Sequence, residues 1–173
     1  MKYSFQQSLQ ILERTPKVLS TLLVGLSNDW ILNNEGGETW SAFDVVGHLI
    51  VCERTNFIPR AEIILSGMDE KIFAPIDMKA QFAFEPDRPI NELLEIFANE
   101  RAHNLETLSS YQLSEQLLNK TATHRVIGTV TLRNLLSTWV AHDLIHTAQI
   151  ARVMAKQYKE EAGPFIHYLR VLN

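Results

Sequence analysis

The chain is poor in several things, and each shortage narrows what it can be. It holds one cysteine, Cys52, among 173 residues, so no intrachain disulfide can form and a reducing compartment is the expected setting. Basic residues are scattered thinly, 16 Lys and Arg against 20 Asp and Glu for a formal charge of −4. That leaves no electrostatic footprint for a phosphate backbone, and no nucleic-acid partner is expected. Long apolar runs are missing too: nothing approaches the roughly 20 residues of a membrane span, and the start MKYSFQQSLQILERTP lacks an apolar core followed by a small-residue cleavage site. The expectation is a cytoplasmic protein without membrane contact. No internal repeat or low-complexity segment stands out.

What is present is ordinary globular composition, 46% hydrophobic and 21% charged, in a length that suits a single domain over residues 1–173. From about residue 3 to 26, Phe5, Leu9, Leu12, Leu19, Leu22, Leu23 and Leu26 recur at helical intervals, with a kink or restart expected at Thr15-Pro16. After the loop signal Asn33-Asn34-Glu35-Gly36-Gly37, Ser41 followed by Asp44 resembles a capping box and opens a second helix, bent at Pro59 and ended by Ser66-Gly67. Residues 68–88 carry prolines and several phenylalanines, a long connection that reads as a lid or as a crossover between parallel helices. Pro89 fits the first turn of a third helix running to Leu108. A short helical piece around Ser114–Leu118 and an extended loop or strand pair around Gly128 lead to a fourth helix, capped by Thr131 and ending near Tyr158. Gly163-Pro164 then breaks the chain before a last aromatic turn. Four long amphipathic helices with a long connection between the second and third predict an all-α four-helix bundle, a fold that builds metal and cofactor sites from inward side chains.

The fourth helix, TLRNLLSTWVAHDLIHTAQIARVMAKQY, sets His142 and His146 one turn apart on a stripe with Leu135, Thr138, Trp139, Gln149 and Val153. Their β-carbons, roughly 6 Å apart, allow one divalent ion to bridge them at bonds of about 2.0–2.1 Å. Two hydrogen-bonded core histidines would show the same spacing, and the residues alone do not choose between these readings. On the second helix Val45, His48, Cys52, Thr55 and Pro59 share a side, so His48 is available as a third imidazole if the two helices are neighbours.

WSAFDVVGHL, the fourth-helix stretch above and the trailing GPF-x5-VL together resemble the DinB-like superfamily, also called the YfiT-like metal-dependent hydrolases. The likeness runs from Trp40 to the C-terminus. It implies an up-up-down-down bundle, commonly a homodimer, with a divalent metal held by His48, His142 and His146, zinc or nickel being the ions that suit three imidazoles. Three functions are open to such a site, the first favoured by the resemblance. One is thiol S-transfer using a low-molecular-weight thiol. Another is hydrolysis by metal-activated water. The third is a stress-related metal-binding or dimerising module without turnover.

The accessory residues sort less sharply. Hydrolysis wants a carboxylate to handle protons, and the nearby acids are Glu53, a candidate pocket base or orienting group, and Asp143, placed about 100° off the stripe by helix periodicity. The alternative for Glu53, an ion pair with Arg54 or another arginine, is favoured. Cys52 is read as small packing in preference to a fourth ligand or reactive thiol. Gln149 is expected to touch substrate or close a core hydrogen bond. Trp139, more than Trp40, is expected to wall the pocket. His124 and Arg125 are candidates for a pocket mouth, and His103, His124 and His167 fall outside the metal constellation.

Overall fold

A computed structural model describes residues 2–84 and 86–172. The first long helix is broken, as Thr15-Pro16 requires: α1 (Phe5–Leu12) stops and α2 (Thr15–Leu23) restarts with Pro16 in its first turn. Pro16 has no N–H for the carbonyl four residues back, which belongs to Leu12. A five-residue helix, α3 (Asn28–Leu32), follows that the periodicity did not anticipate.

The second long helix starts at the capping box. Ser41 Oγ accepts from the Asp44 N–H while the Asp44 carboxylate accepts from the Ser41 N–H at 2.8 Å, opening α4 (Ala42–Thr55). The interruption expected at Pro59 falls three residues earlier, at Asn56 with φ −109 and ψ −81, and Pro59 lies in the first turn of α5 (Phe57–Leu65). A proline ring collides with the carbonyl at i−4, here Thr55, so the helix gives way at that carbonyl and not at the proline.

The third long helix, α6 (Ile90–Ser110), begins directly after Pro89. Ser114 caps α7 (Glu115–Leu118), and the segment around Gly128 is a hairpin of β1 (Thr121–His124) and β2 (Gly128–Thr131). Thr131 and Asn134 form a second capping box at the head of the fourth long helix, α8 (Leu132–Lys156). Short 3-10 turns over Gly163–Tyr168 and Arg170–Leu172 follow it. None of the described helices is long and apolar enough to cross a membrane.

The connection between the second and third long helices is docked at two places. The Phe73 N–H donates to the Thr123 carbonyl at 3.0 Å and Thr123 donates back to Lys71 at 2.7 Å, adding a parallel bridge to the hairpin. Farther on, a 3-10 turn over Ala80–Ala83 lies on α4 at Gly47, where a β-carbon would meet Phe84 Cδ2 at 3.1 Å. Glycine there lets the crossover approach the helix backbone.

In the resulting four-helix bundle, both broken helices pack against α6 and α8, so α4 and α8 are neighbours. The interior is two apolar clusters, one around Phe57, Leu108 and Trp139, the other around Leu49, Phe97 and Ile150. Between them lie buried polar side chains from three helices, among them Glu53, Arg101, Asn104 and Asp143.

Candidate metal centre

His48 comes from α4, and His142 and His146 from successive turns of α8. Their Nε2 atoms converge, 3.2 Å from His48 to His142 and 3.1 Å from His142 to His146. Such pairs subtend about 100° at an ion bonded to each nitrogen at about 2.0–2.1 Å, near the tetrahedral value. Among the described residues, these three offer ligand atoms within 4.8 Å of one another, and the group contains no carboxylate.

Proton bookkeeping favours a cation over hydrogen bonds among the rings. Gln149 Oε1 lies 2.8 Å from His146 Nδ1. A carbonyl oxygen only accepts, so His146 carries its hydrogen on Nδ1 and turns a bare lone pair on Nε2 toward His142. If His142 Nε2 is also bare, two lone pairs face each other. If it bears the hydrogen, that hydrogen serves His146 and leaves the contact with His48 unbonded. No set of neutral tautomers satisfies both short contacts, whereas one cation satisfies both.

The ring charges point the same way. Burial, followed by the neighbouring imidazoles, lowers the pKa of His48 to about 4 and that of His142 to about 3. Burial also lowers His146, against the opposing effects of Gln149 and Asp143. All three rings are therefore neutral near pH 7, the form that ligates metal.

Beside the rings lies a buried charge triad. Arg101, 1% exposed, uses every guanidinium hydrogen. Nε and Nη2 donate to Glu53 Oε1 at 3.1 and 2.7 Å, Nη1 and Nη2 to the two Asp143 oxygens at 2.6 and 2.9 Å, and Nη1 to the Leu12 carbonyl at 2.8 Å. That carbonyl is the one Pro16 leaves without a helical partner. Asn104 Nδ2 donates to Glu53 Oε2 at 2.9 Å and Trp139 Nε1 to Oε1 at 3.3 Å. Phe97 and Trp139 stack on the guanidinium from 5.0 and 5.2 Å. Burial opposes the charge on Arg101, but Glu53 and Asp143 outweigh it and raise its pKa.

The structure thus gathers the three expected histidines and redistributes the accessory residues. Glu53 is 2% exposed and engaged by Arg101, Asn104 and Trp139, outside the imidazole group. Its partner is an arginine, as one reading held, but a buried one, while Arg54 pairs with Glu100 at the surface. Asp143 lies on the buried stripe, contrary to the placement by periodicity. The true core frame of α8 is Leu132, Leu136, Trp139, Asp143, His146, Ile150 and Val153, and His142 is the flanking residue.

Trp139 is fully buried and stacks flat on Phe57 at 5.0 Å, which in turn meets His142 edge-on at 5.3 Å. With Phe57, the aromatic ring that lies against the imidazoles is Trp40, 4.8 Å from the His48 ring and 6.2 Å from that of His146. Trp40 and Gln149 also border a hollow of about 250 Å³ with Glu35, Glu38, Thr39 and Arg152. Cys52 is 1% exposed, with Sγ 3.4 Å from His48 Nε2 and 3.8 Å from His142 Nε2, and burial raises its thiol pKa to about 12. His124 Nδ1 accepts from the Val126 and Ile127 N–H groups of the hairpin turn, Arg125 is exposed on that turn, and His103 and His167 are exposed elsewhere.

Arg101 and Asn104 were the residues the sequence reading passed over. Their signal is their register: Leu94, Phe97, Arg101, Asn104 and Leu108 recur at the 3-4 spacing of a core face, so both polar residues occupy apolar positions.

No curated protein sequence matches the chain. Among solved structures it resembles YfiT from Bacillus subtilis, described as a probable metal-dependent hydrolase with an unusual four-helix bundle topology, at 20% identity over 90% of each chain with a TM-score of 0.73. The likeness is one of fold. The family model of the DinB superfamily matches residues 11–150, which is most of the sequence and includes all three converging histidines, and the chain belongs to that superfamily.

Proposed function

We propose that this protein is a divalent-metal-dependent enzyme of small-molecule chemistry, and that its reaction is thiol S-transfer. The observation that carries the reading is an imidazole cluster with no carboxylate in it, whose nearest buried acids, Glu53 and Asp143, are both committed to Arg101. Hydrolysis by metal-bound water, whose pKa falls to about 7, still needs a group to pass the proton on to the departing atom, and neither acid is free to do so. A thiol has a much lower pKa than water and needs less help.

His48, His142 and His146 would hold the ion, with zinc and nickel both suited to three neutral nitrogens. When bound, such an ion supplies Lewis acidity that favours the thiolate of a low-molecular-weight thiol. The protein groups do the rest. Gln149 fixes the His146 tautomer and ring direction, Phe57 braces His142, and Trp40 covers His48 and His146 on one side. The hollow bordered by Trp40 and Gln149 would take the remainder of a substrate, and its wall carries Glu38 and the Glu35–Arg152 ion pair.

The second reading is metal-dependent hydrolysis, supported by the description of YfiT. The two readings separate in one set of assays. Purified protein should carry stoichiometric zinc or nickel by elemental analysis, and His142→Ala should abolish it while keeping the helical circular dichroism; full retention of metal would remove the cluster from consideration. A panel of low-molecular-weight thiols should perturb the visible spectrum of the cobalt-substituted protein and be consumed with an electrophile. Turnover of esters or amides, with no response to any thiol, would replace transfer by hydrolysis.

A further inference from the structure

Three neutral imidazoles bring no charge to a dication, yet the site is buried: His48 and His146 are 4% and 9% exposed. A dication in such a place loses much of its hydration and needs an opposite charge nearby. The triad on the adjoining turns carries one. Glu53 and Asp143 contribute two negative charges and Arg101 one positive, so the triad sums to −1 in a region where Arg101, Glu53 and Asp143 side chains are 2%, 1% and 0% exposed. It is also close in sequence and space. Asp143 follows His142 directly, and Glu53 follows Cys52, whose sulfur lies 3.4 and 3.8 Å from the Nε2 atoms of His48 and His142.

A structural ion pair would be cheapest if neutral, because each unbalanced buried charge is costly. Here a second carboxylate is retained without a second cation, and all four oxygens of the two carboxylates nonetheless accept hydrogen bonds from Arg101, Asn104 or Trp139. Such an arrangement makes sense when the missing positive charge arrives with the ligand. We infer that the Glu53–Arg101–Asp143 triad is the fixed counter-charge of the metal centre, with Glu53 a positioning residue that tunes ion affinity without touching the ion. The inference rests on the metal reading above and adds a source for the charge balance that the three ligands leave open.

The test compares zinc affinity by competition against a chromophoric chelator with the unfolding temperature of chelator-stripped protein, for wild type and two variants. Glu53→Gln keeps an oxygen for Arg101 and Trp139 but removes the surplus charge. Its zinc affinity should fall tenfold or more, within the 10–100-fold range that outer partners of metal ligands command, while the stripped protein unfolds within a few degrees of wild type. Glu53→Asp shortens the side chain but keeps the charge, and its affinity should stay well above that of Glu53→Gln. Unchanged zinc affinity in folded Glu53→Gln overturns the counter-charge. So does a Glu53→Asp variant as weak as Glu53→Gln, since shape and not charge would then be responsible. If wild type itself takes up no zinc, the metal reading fails first.

Discussion

Replacing Arg101 by methionine should be among the most damaging single changes in this bundle. The substitution keeps an unbranched side chain of similar reach between Phe97 and Trp139, so the loss is electrostatic more than volumetric. It removes five donor contacts and leaves the Glu53 and Asp143 carboxylates facing each other without their shared cation. Removing one partner of a buried ion pair costs about 3–5 kcal/mol, a large share of the roughly 5–15 kcal/mol that holds a domain together. At about 2–4 °C per kcal/mol for a chain of this size, the melting temperature should fall by roughly 6–20 °C. The measurement is urea unfolding followed by circular dichroism, with chelator present so that ion binding does not add to stability. A triple variant with Arg101→Met, Glu53→Leu and Asp143→Leu should recover part of the loss, because no charge is then stranded. A single-variant cost below about 1 kcal/mol, or a triple variant no better than the single, would refute the claim that stranded charge dominates.

Two further outcomes follow from the imidazoles. Their folded-state values lie below the ordinary histidine value of about 6.5, at about 4 for His48 and about 3 for His142, so the unfolded chain binds protons that the native state refuses. Stability of the stripped protein should hold above the unfolded value and drop as pH falls through the folded ones, with zinc released over the same descent; a flat urea midpoint down to pH 4 would contradict this. Gln149→Leu removes the acceptor on His146 Nδ1 and should weaken zinc binding by about 10–100-fold with little change in the stripped protein's stability. Equal affinity in a zinc competition assay would mean that the amide does not set the tautomer.

The long helices were legible because their boundaries are written locally. Ser41 with Asp44 and Thr131 with Asn134 close on themselves, and Pro16 breaks the first helix wherever tertiary structure places it. The histidines were legible because two sit one turn apart, and because residues around all three resemble a known family. What escaped depended on contacts between helices. Rotating α8 by one position moves Asp143 from flank to core, and only packing against α4 and α6 fixes that rotation. Trp139 was preferred for its place on the histidine stripe, whereas the loop before α4 sets Trp40 against the imidazoles. That loop is held by Asn34 and Thr39 hydrogen bonds and by the Glu35 contacts with Arg152 and Lys156. Arg101 looked like one more surface charge on an amphipathic helix until its carboxylate partners arrived from two other segments.

The carbonyl that Pro16 strands at Leu12 is a socket, and the guanidinium of Arg101 fills it. A better helix former at position 16 would regain an N–H and compete for that oxygen, drawing it back into a continuous helix and away from the arginine. Straightening the amino-terminal helix would thus disturb the electrostatics at the heart of the bundle. An apparent flaw in one helix serves as a fastening for three others, and improvement judged by local propensity alone would loosen the whole.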